Sequence, residues 1–138
     1  MTSATFDTSV YVRALHFGGP AALLLGRARA GLIRIDISDP ILNETIRVLR
    51  DKFQWDGYML QDARAKLLSI ANRVSPNQTL SVVDADPDDN RVVECAVTAN
   101  SDYIVSEDDD LLRLVAIGRT PVVTVRDFVR LSVAAPHP

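Results

Sequence analysis

Four carboxylates, Asp7, Glu44, Asp89 and Asp108, fall where strand-like stretches of this sequence hand over to helical ones. Acids brought together repel one another and raise one another's proton affinity unless a cation neutralises them. An oxygen-only ligand set suits Mg²⁺ or Mn²⁺ better than zinc. The chemistry available to such a site is polarisation of a phosphate and activation of a water. For any single acid the competing reading is a helix cap or a solvated charge, because carboxylates favour helix N-termini. Four coincidences at strand exits weaken that reading. A calcium loop starting at Asp84 fails, since Asp89 stands where glycine is required and Cys95 where a bidentate glutamate is required. The sequence has no glycine-rich phosphate loop and no nucleophile-elbow serine, and its histidines, His16 and His137, lie in a loop-like stretch and at the tail.

The elements that must position these acids follow from hydrophobic periodicity. A short strand ends at Asp7 in "ATFDTSVYVRAL", and a helical pattern continues through Val10, Ala14 and Leu15 until Gly18, Gly19 and Pro20 break it. "PAALLLGRARAG" predicts a second helix and "LIRID" a strand. Ser38 is an N-cap candidate for a helix with Pro40 in its first turn and an apolar stripe of Ile41, Leu42, Thr45, Val48 and Leu49, flanked by Glu44. "DGYMLQDARAKLLSIANRV" predicts another amphipathic helix, ended by "SPNQ". The period then changes. "TLSVV" is strand-like, "DADPDD" a loop, "NRVVECAVTAN" a helix, "DYIVS" a strand, "DDDLLRLVAIG" a short helix or turn, "TPVVTV" a last strand and "RDFVRL" a closing helix. This alternation implies a mainly parallel sheet covered by helices on both faces, with ligands beyond the carboxyl ends of the strands at the switch point in strand order.

Composition supports one core. A chain of 138 residues with 47% hydrophobic and 24% charged residues is expected to form a single globular domain without disulfide or structural metal. Cys95 is the only cysteine, so a reducing compartment and a core position are expected. No apolar run approaches the length of a membrane span and no leader pattern stands at the N-terminus, from which a cytoplasmic protein is expected. The net charge of -3 hides an asymmetry, because residues 84–110 carry ten acids against one base, Arg91, and the remaining residues are net basic. That split suits an acidic metal site facing a polyanion and equally suits an acidic face without a role.

Taken together, "FDTSVYVRAL", "SDPILNETIRVL", "DPDDNRVVECAVTANSDYIVSEDDDLL" and "TPVVTVRDFV" resemble the PIN-domain ribonucleases, particularly the toxins of toxin–antitoxin systems, over nearly the whole length. The third block is the most specific. The resemblance implies a single PIN-like domain over 1–138, a three-layer α/β/α sandwich with a mainly parallel sheet of about five strands. It implies hydrolysis of RNA phosphodiester bonds with Mg²⁺ or Mn²⁺ as cofactor. Asp7, Glu44, Asp89 and Asp108 would be catalytic; Asp7, Asp89, Asp108 and Asp110 would hold metal; Ser9, Asn90 and Ser106 would support them. The implied partners are an RNA substrate, a cognate antitoxin protein and a second copy in a homodimer, with no membrane. Three positions depart from the family pattern: Ser9 where Asn is usual, Ser106 where Thr is usual, and Glu107 where Gly is usual. The two serines keep a hydroxyl able to orient a carboxylate, whereas Glu107 adds negative charge beside Asp108.

Other residues carry weaker expectations. Asp86 and Asp88 are read as loop solvation and helix capping. Trp55 and Tyr58 could stack on bases but are read as interhelical packing, and Arg47, Arg50 and Lys52 as phosphate contacts or a solvated helix face. The alternative function is a catalytically impaired PIN-like module for RNA binding or protein interaction, motivated by Glu107 and the crowded "SEDDDLL". A phosphatase or phospho-receiver ranks below both, because Lys52 and Lys66 lie in helical segments rather than beside a phosphorylatable aspartate.

Overall fold

Strands that alternate with helices must return through crossovers, and crossovers make neighbouring strands parallel. The computed structural model describes residues 1–77 and 87–133. In chain order these contain β1 (Ser3–Phe6), α1 (Thr8–Val12), a π-helical turn (Arg13–Phe17), α2 (Gly19–Arg29), β2 (Arg34–Ser38), α3 (Asp39–Phe53), α4 (Gly57–Ile70) and β3 (Asn72–Val74). After the undescribed segment come α5 (Pro87–Ala99), β4 (Tyr103–Val105), α6 (Asp109–Leu112), β5 (Ala116–Ile117), β6 (Thr120–Val123) and α7 (Val125–Val133). Among the described residues the strands form a six-stranded sheet of order β3-β2-β1-β4-β6-β5. Five run parallel, and β5 adds an antiparallel edge to β6. The α/β/α architecture expected from sequence is therefore present.

Successive residues of β1 divide the interior into two layers, because side chains alternate across a strand. The Phe6 ring lies 5.5 Å from Tyr11 of α1 and 6.0 Å from Phe128 of α7, whose other neighbour is Tyr103 at 5.6 Å. Thr5 points the opposite way, its hydroxyl 2.8 Å from that of Ser101 and 3.6 Å from the Cys95 sulfur of α5. Cys95 is fully buried, as expected, and burial pushes its thiol up to about 11, which makes it inert. Arg27 fastens α2 to α7 through the Val129 carbonyl at 2.9 Å and the Ser132 hydroxyl at 2.7 Å. Among the described residues no helix is long and apolar enough to cross a membrane.

Two segments differ from their sequence expectation. The helix predicted through Val74 stops at Ile70, and Asn72–Val74 pairs with β2 as the edge strand β3. Tertiary partners decide this. Asn72 donates a side-chain hydrogen bond of 2.9 Å to Asp36, and Arg73 makes two of 2.8 Å to Asp39 at the start of α3. The turn expected around "VAIG" also contains the short strand β5. The strand expected over "TLSVV", the loop acids Asp84 and Asp86, and His137 lie outside the described residues.

A buried carboxylate organises the sheet's interior. Asp36, in the middle of β2 and fully buried, accepts from Arg34 Nε and Nη2 at 2.8 and 3.2 Å, from Asn72 at 2.9 Å and from Ser101 at 2.6 Å. Arg34 also reaches the Ala99 carbonyl at the end of α5, at 2.9 Å. Asp36→Ala strands these donors in the interior, so denaturant melts should show a loss of about 3 kcal/mol; a change below about 0.5 kcal/mol would mean that the network contributes little.

Candidate functional site

Strand order reverses between β1 and β4, so the crevice beyond their carboxyl ends is the switch point where α/β sheets bind ligands. The register Phe6↔Val105 places the first residue after each strand side by side: Asp7 and Ser106. The Asp7 amide donates to Val105 O and the Ser106 amide to Val123 O, each at 3.0 Å, so both residues are held by the sheet itself. Asp7 caps α1. Its Oδ1 accepts from the Val10 amide at 3.1 Å and from the Ser9 hydroxyl at 2.6 Å, while Oδ2 accepts a short hydrogen bond from the Ser106 hydroxyl. Ser106 Oγ accepts in turn from the Asp108 amide at 2.8 Å, and Asp108 Oδ1 accepts from the Asp110 amide at 2.8 Å. Burial raises the Asp7 pKa above its usual value; the three hydrogen bonds act against that, and the Asp108 charge adds to it.

The third wall comes from α5, whose first turn carries Asp88 and Asp89. One carboxylate oxygen each from Asp89, Asp108 and Asp110 lie within 4.8 Å of one another. These three donors are all hard oxygens on separate residues, a set that fits Mg²⁺ or Mn²⁺. Asp7, Glu44, Asp89 and Asp108 line one cavity of about 700 Å³, with Ser9 and Asp88 also on its wall. Asp110 belongs to the three-acid group without lining that cavity, and Asn90 is buried just after Asp89 on α5.

Glu44 is balanced by a neighbouring base. It forms a bidentate pair with Arg47, one turn on in α3, at 3.0 and 2.5 Å, and Asp110 has a looser partner in Arg113 at 3.6 Å. Glu107 also has a local partner, since its Oε1 accepts from the Val125 amide at 3.3 Å, at the start of α7, and it is not among the cavity-lining residues. Asp88, read from sequence as solvation and capping, lines the cavity.

The remaining wall is apolar and basic. Val12, Arg13 and Phe17 come from α1 and the π-helical turn, and Val48, Lys52 and Phe53 from α3. The spacing of Glu44, Val48 and Lys52 could have shown that they share a helix face. Nothing in the sequence marked Arg13 or Phe17. Of the bases near Glu44, Arg47 is paired with Glu44 and Arg50 with Asp51, while Lys52 forms no ion pair among the described residues. Trp55 packs against the helices, its indole N–H donating to His16 Nδ1 at 3.0 Å; Tyr58 is 82% exposed, contrary to the packing role expected of it.

The PIN domain family pattern matches residues 3–110, a span that takes in Asp7, Glu44, Asp89, Asp108 and Asp110. Among solved structures, that of VapBC2 from Rickettsia felis bound to a DNA fragment from their promoter aligns with a TM-score of 0.62. The alignment covers 89% of this chain and 98% of that chain at 13% identity, a likeness of fold. No curated protein matches the sequence.

Asp7 allows a test of the electrostatics. Its raised pKa means that the metal-free fold draws stability from the protonated acid below the unfolded-state pKa and loses it as pH rises through the folded-state pKa. At pH 7 in chelator, Asp7→Asn is therefore expected to be no less stable than wild type and to gain roughly 1 kcal/mol. The difference should shrink as the pH is lowered through the folded-state pKa. A loss of several kcal/mol at neutral pH, followed by urea melts, would show instead that the ionised carboxylate holds the fold together.

Proposed function

This chain belongs to the PIN-domain family, and from that premise we propose that it is a metal-dependent endoribonuclease that hydrolyses RNA phosphodiester bonds, acting as the toxin of a toxin–antitoxin pair. The observation that carries the reading is the convergence of Asp89, Asp108 and Asp110 within 4.8 Å at the switch-point crevice, next to Asp7. Asp89, Asp108 and Asp110 would hold a Mg²⁺ or Mn²⁺ ion there, which would neutralise charge at the phosphate and lower the pKa of a water so that it can attack as hydroxide.

The chain's own residues hold and orient. Asp89 and Asp108 are the principal ligands, and Asp110 joins from the same turn as Asp108. Ser9 and Ser106 fix both oxygens of Asp7, so this carboxylate meets the cavity in one orientation and supports the ligand set from the β1 side. Glu44 stands on the α3 wall with Arg47 balancing its charge, where it can accept a proton from, or position, the attacking water. The bond from Glu107 to α7 supports an intact site over the alternative of an impaired binding module, since its carboxylate serves a helix start. The likeness in fold to VapBC2 supports a protein antitoxin as partner.

Asp89→Asn and Asp108→Asn are expected to reduce cleavage of a fluorescent RNA to background with either metal, while leaving the fold intact by circular dichroism. Asp110→Asn, at a member of the three-acid group that does not line the cavity, should cost about 10 to 100-fold in metal affinity. Titration calorimetry with Mn²⁺ should register binding in the wild type and its weakening in Asp108→Asn. Absence of binding at millimolar Mn²⁺, together with full cleavage in chelator, would overturn the metal-dependent reading.

A further inference from the structure

The cavity that holds the carboxylates does not end at them. Glu44, Val48 and Lys52 follow one face of α3 along its wall, and eight residues of helix place Lys52 about 12 Å from Glu44. The opposite wall runs the same way, from Asp7 through Val12 and Arg13 to Phe17. Its far end is built around aromatic rings. Phe17 remains 68% exposed, yet its ring is held by near-perpendicular contacts to Phe53 at 5.7 Å and to His16 at 4.7 Å. His16 lies 4.2 Å from Phe53 and accepts the Trp55 indole N–H at 3.0 Å, so the group behind Phe17 is itself braced. The backbone is specialised there too. Gly18 N–H closes the π-helical turn on Arg13 O at 2.9 Å, and Gly18 takes φ +83°, a conformation that glycine adopts at little cost. Arg13 and Lys52 supply the charge on these outer walls, and neither forms an ion pair among the described residues.

We propose that Phe17, backed by Phe53, is the stacking platform for an unpaired base of the RNA strand whose phosphodiester lies at the carboxylates, with Arg13 and Lys52 binding the phosphate beside that base. The inference rests on the nuclease reading above and adds to it the residues of this chain that would hold the strand beside the cut phosphodiester. A braced ring with an accessible surface serves any base, because every base has a π-face, and flanking cations serve the backbone. A basic peptide would meet Arg13 and Lys52, and an acidic one would meet the carboxylates. A nucleotide strand satisfies both ends once a divalent cation neutralises the carboxylates, its phosphates facing the cation, Arg13 and Lys52 and its base facing the ring. A duplex keeps its bases inside the stack and cannot present one to Phe17.

Trp55 is the only tryptophan and lies beside the platform, so it reports binding without catalysis. The protein is titrated with short single-stranded oligoribonucleotides in Ca²⁺, which neutralises the carboxylates, following Trp55 fluorescence and the anisotropy of a labelled strand. The expected result is binding of single strands in preference to a duplex, weakened about 10-fold by Phe17→Ala and restored by Phe17→Tyr. An abasic nucleotide at the stacked position should cost the wild type a similar factor and cost Phe17→Ala nothing further. Arg13→Gln and Lys52→Gln should each lower the salt dependence of binding. Unchanged affinity in Phe17→Ala would overturn the platform while leaving the nuclease reading in place if the RNA is still cut. The same would follow from unchanged RNA affinity with loss of self-association in sedimentation, which would assign the ring to contacts between copies. Wild-type protein that neither binds nor cuts any RNA would overturn both.

Discussion

One hydroxyl joins the two halves of the site. Ser106 donates to the buried carboxylate of Asp7 and accepts from the amide of Asp108, so the position of one acid is transmitted to the other through a single oxygen. A buried carboxylate needs such donors, because without them the charged form is expelled from the interior or protonated. Ser106 can serve only because β4 lies beside β1 in the register Phe6↔Val105 and because Val123 of β6 anchors its amide. The strand order of the sheet is thus a requirement of the site's polar contacts as much as of core packing. A side chain without a hydroxyl at this position would leave Asp7 short of a donor and Asp108 short of an acceptor.

The sheet carries two buried acids with opposite roles. Asp36 commits its oxygens to Arg34, Asn72 and Ser101, ties β2 to β3 and to the segment entering β4, and is not among the residues lining the carboxylate cavity. Asp7 accepts three hydrogen bonds but stands at a strand end, on the wall of a cavity, with another acid raising its proton affinity. Position relative to the strand separates an acid that holds the fold from one that faces the chemistry. Mid-strand carboxylates point into a helix layer; strand-exit carboxylates point into the crevice.

That distinction also marks what could be read from the sequence. Strand exits are local features, so the placement of Asp7 and Asp108 followed from hydrophobic runs ending in an acid. Asp89 at a helix start followed from the same punctuation. Asp36 carried no such mark, because its partners at residues 72 and 101 are neighbours only once the sheet has formed. The same pairing explains the shortened α4: Asn72–Val74 continue a helical pattern in sequence and become a strand because β2 offers them an edge. Glu107 looked like an added site charge because its helix-capping contact reaches Val125, beyond the range of any local pattern. The role of Phe17 depends on a π-helical turn, and a single widened turn leaves no periodic signature.

The Ser106 to Asp7 hydrogen bond spans 99 residues of chain. As the polypeptide is synthesised, β1 is made long before its β4 neighbour, and contacts this distant form late. Asp7 is therefore produced well before it is oriented. A partially translated copy carries the first acid of the crevice without the hydroxyl that aims it or the acids from α5 and α6 that complete the set. The order of residues along the chain delays assembly of the full carboxylate constellation until α6 has been made.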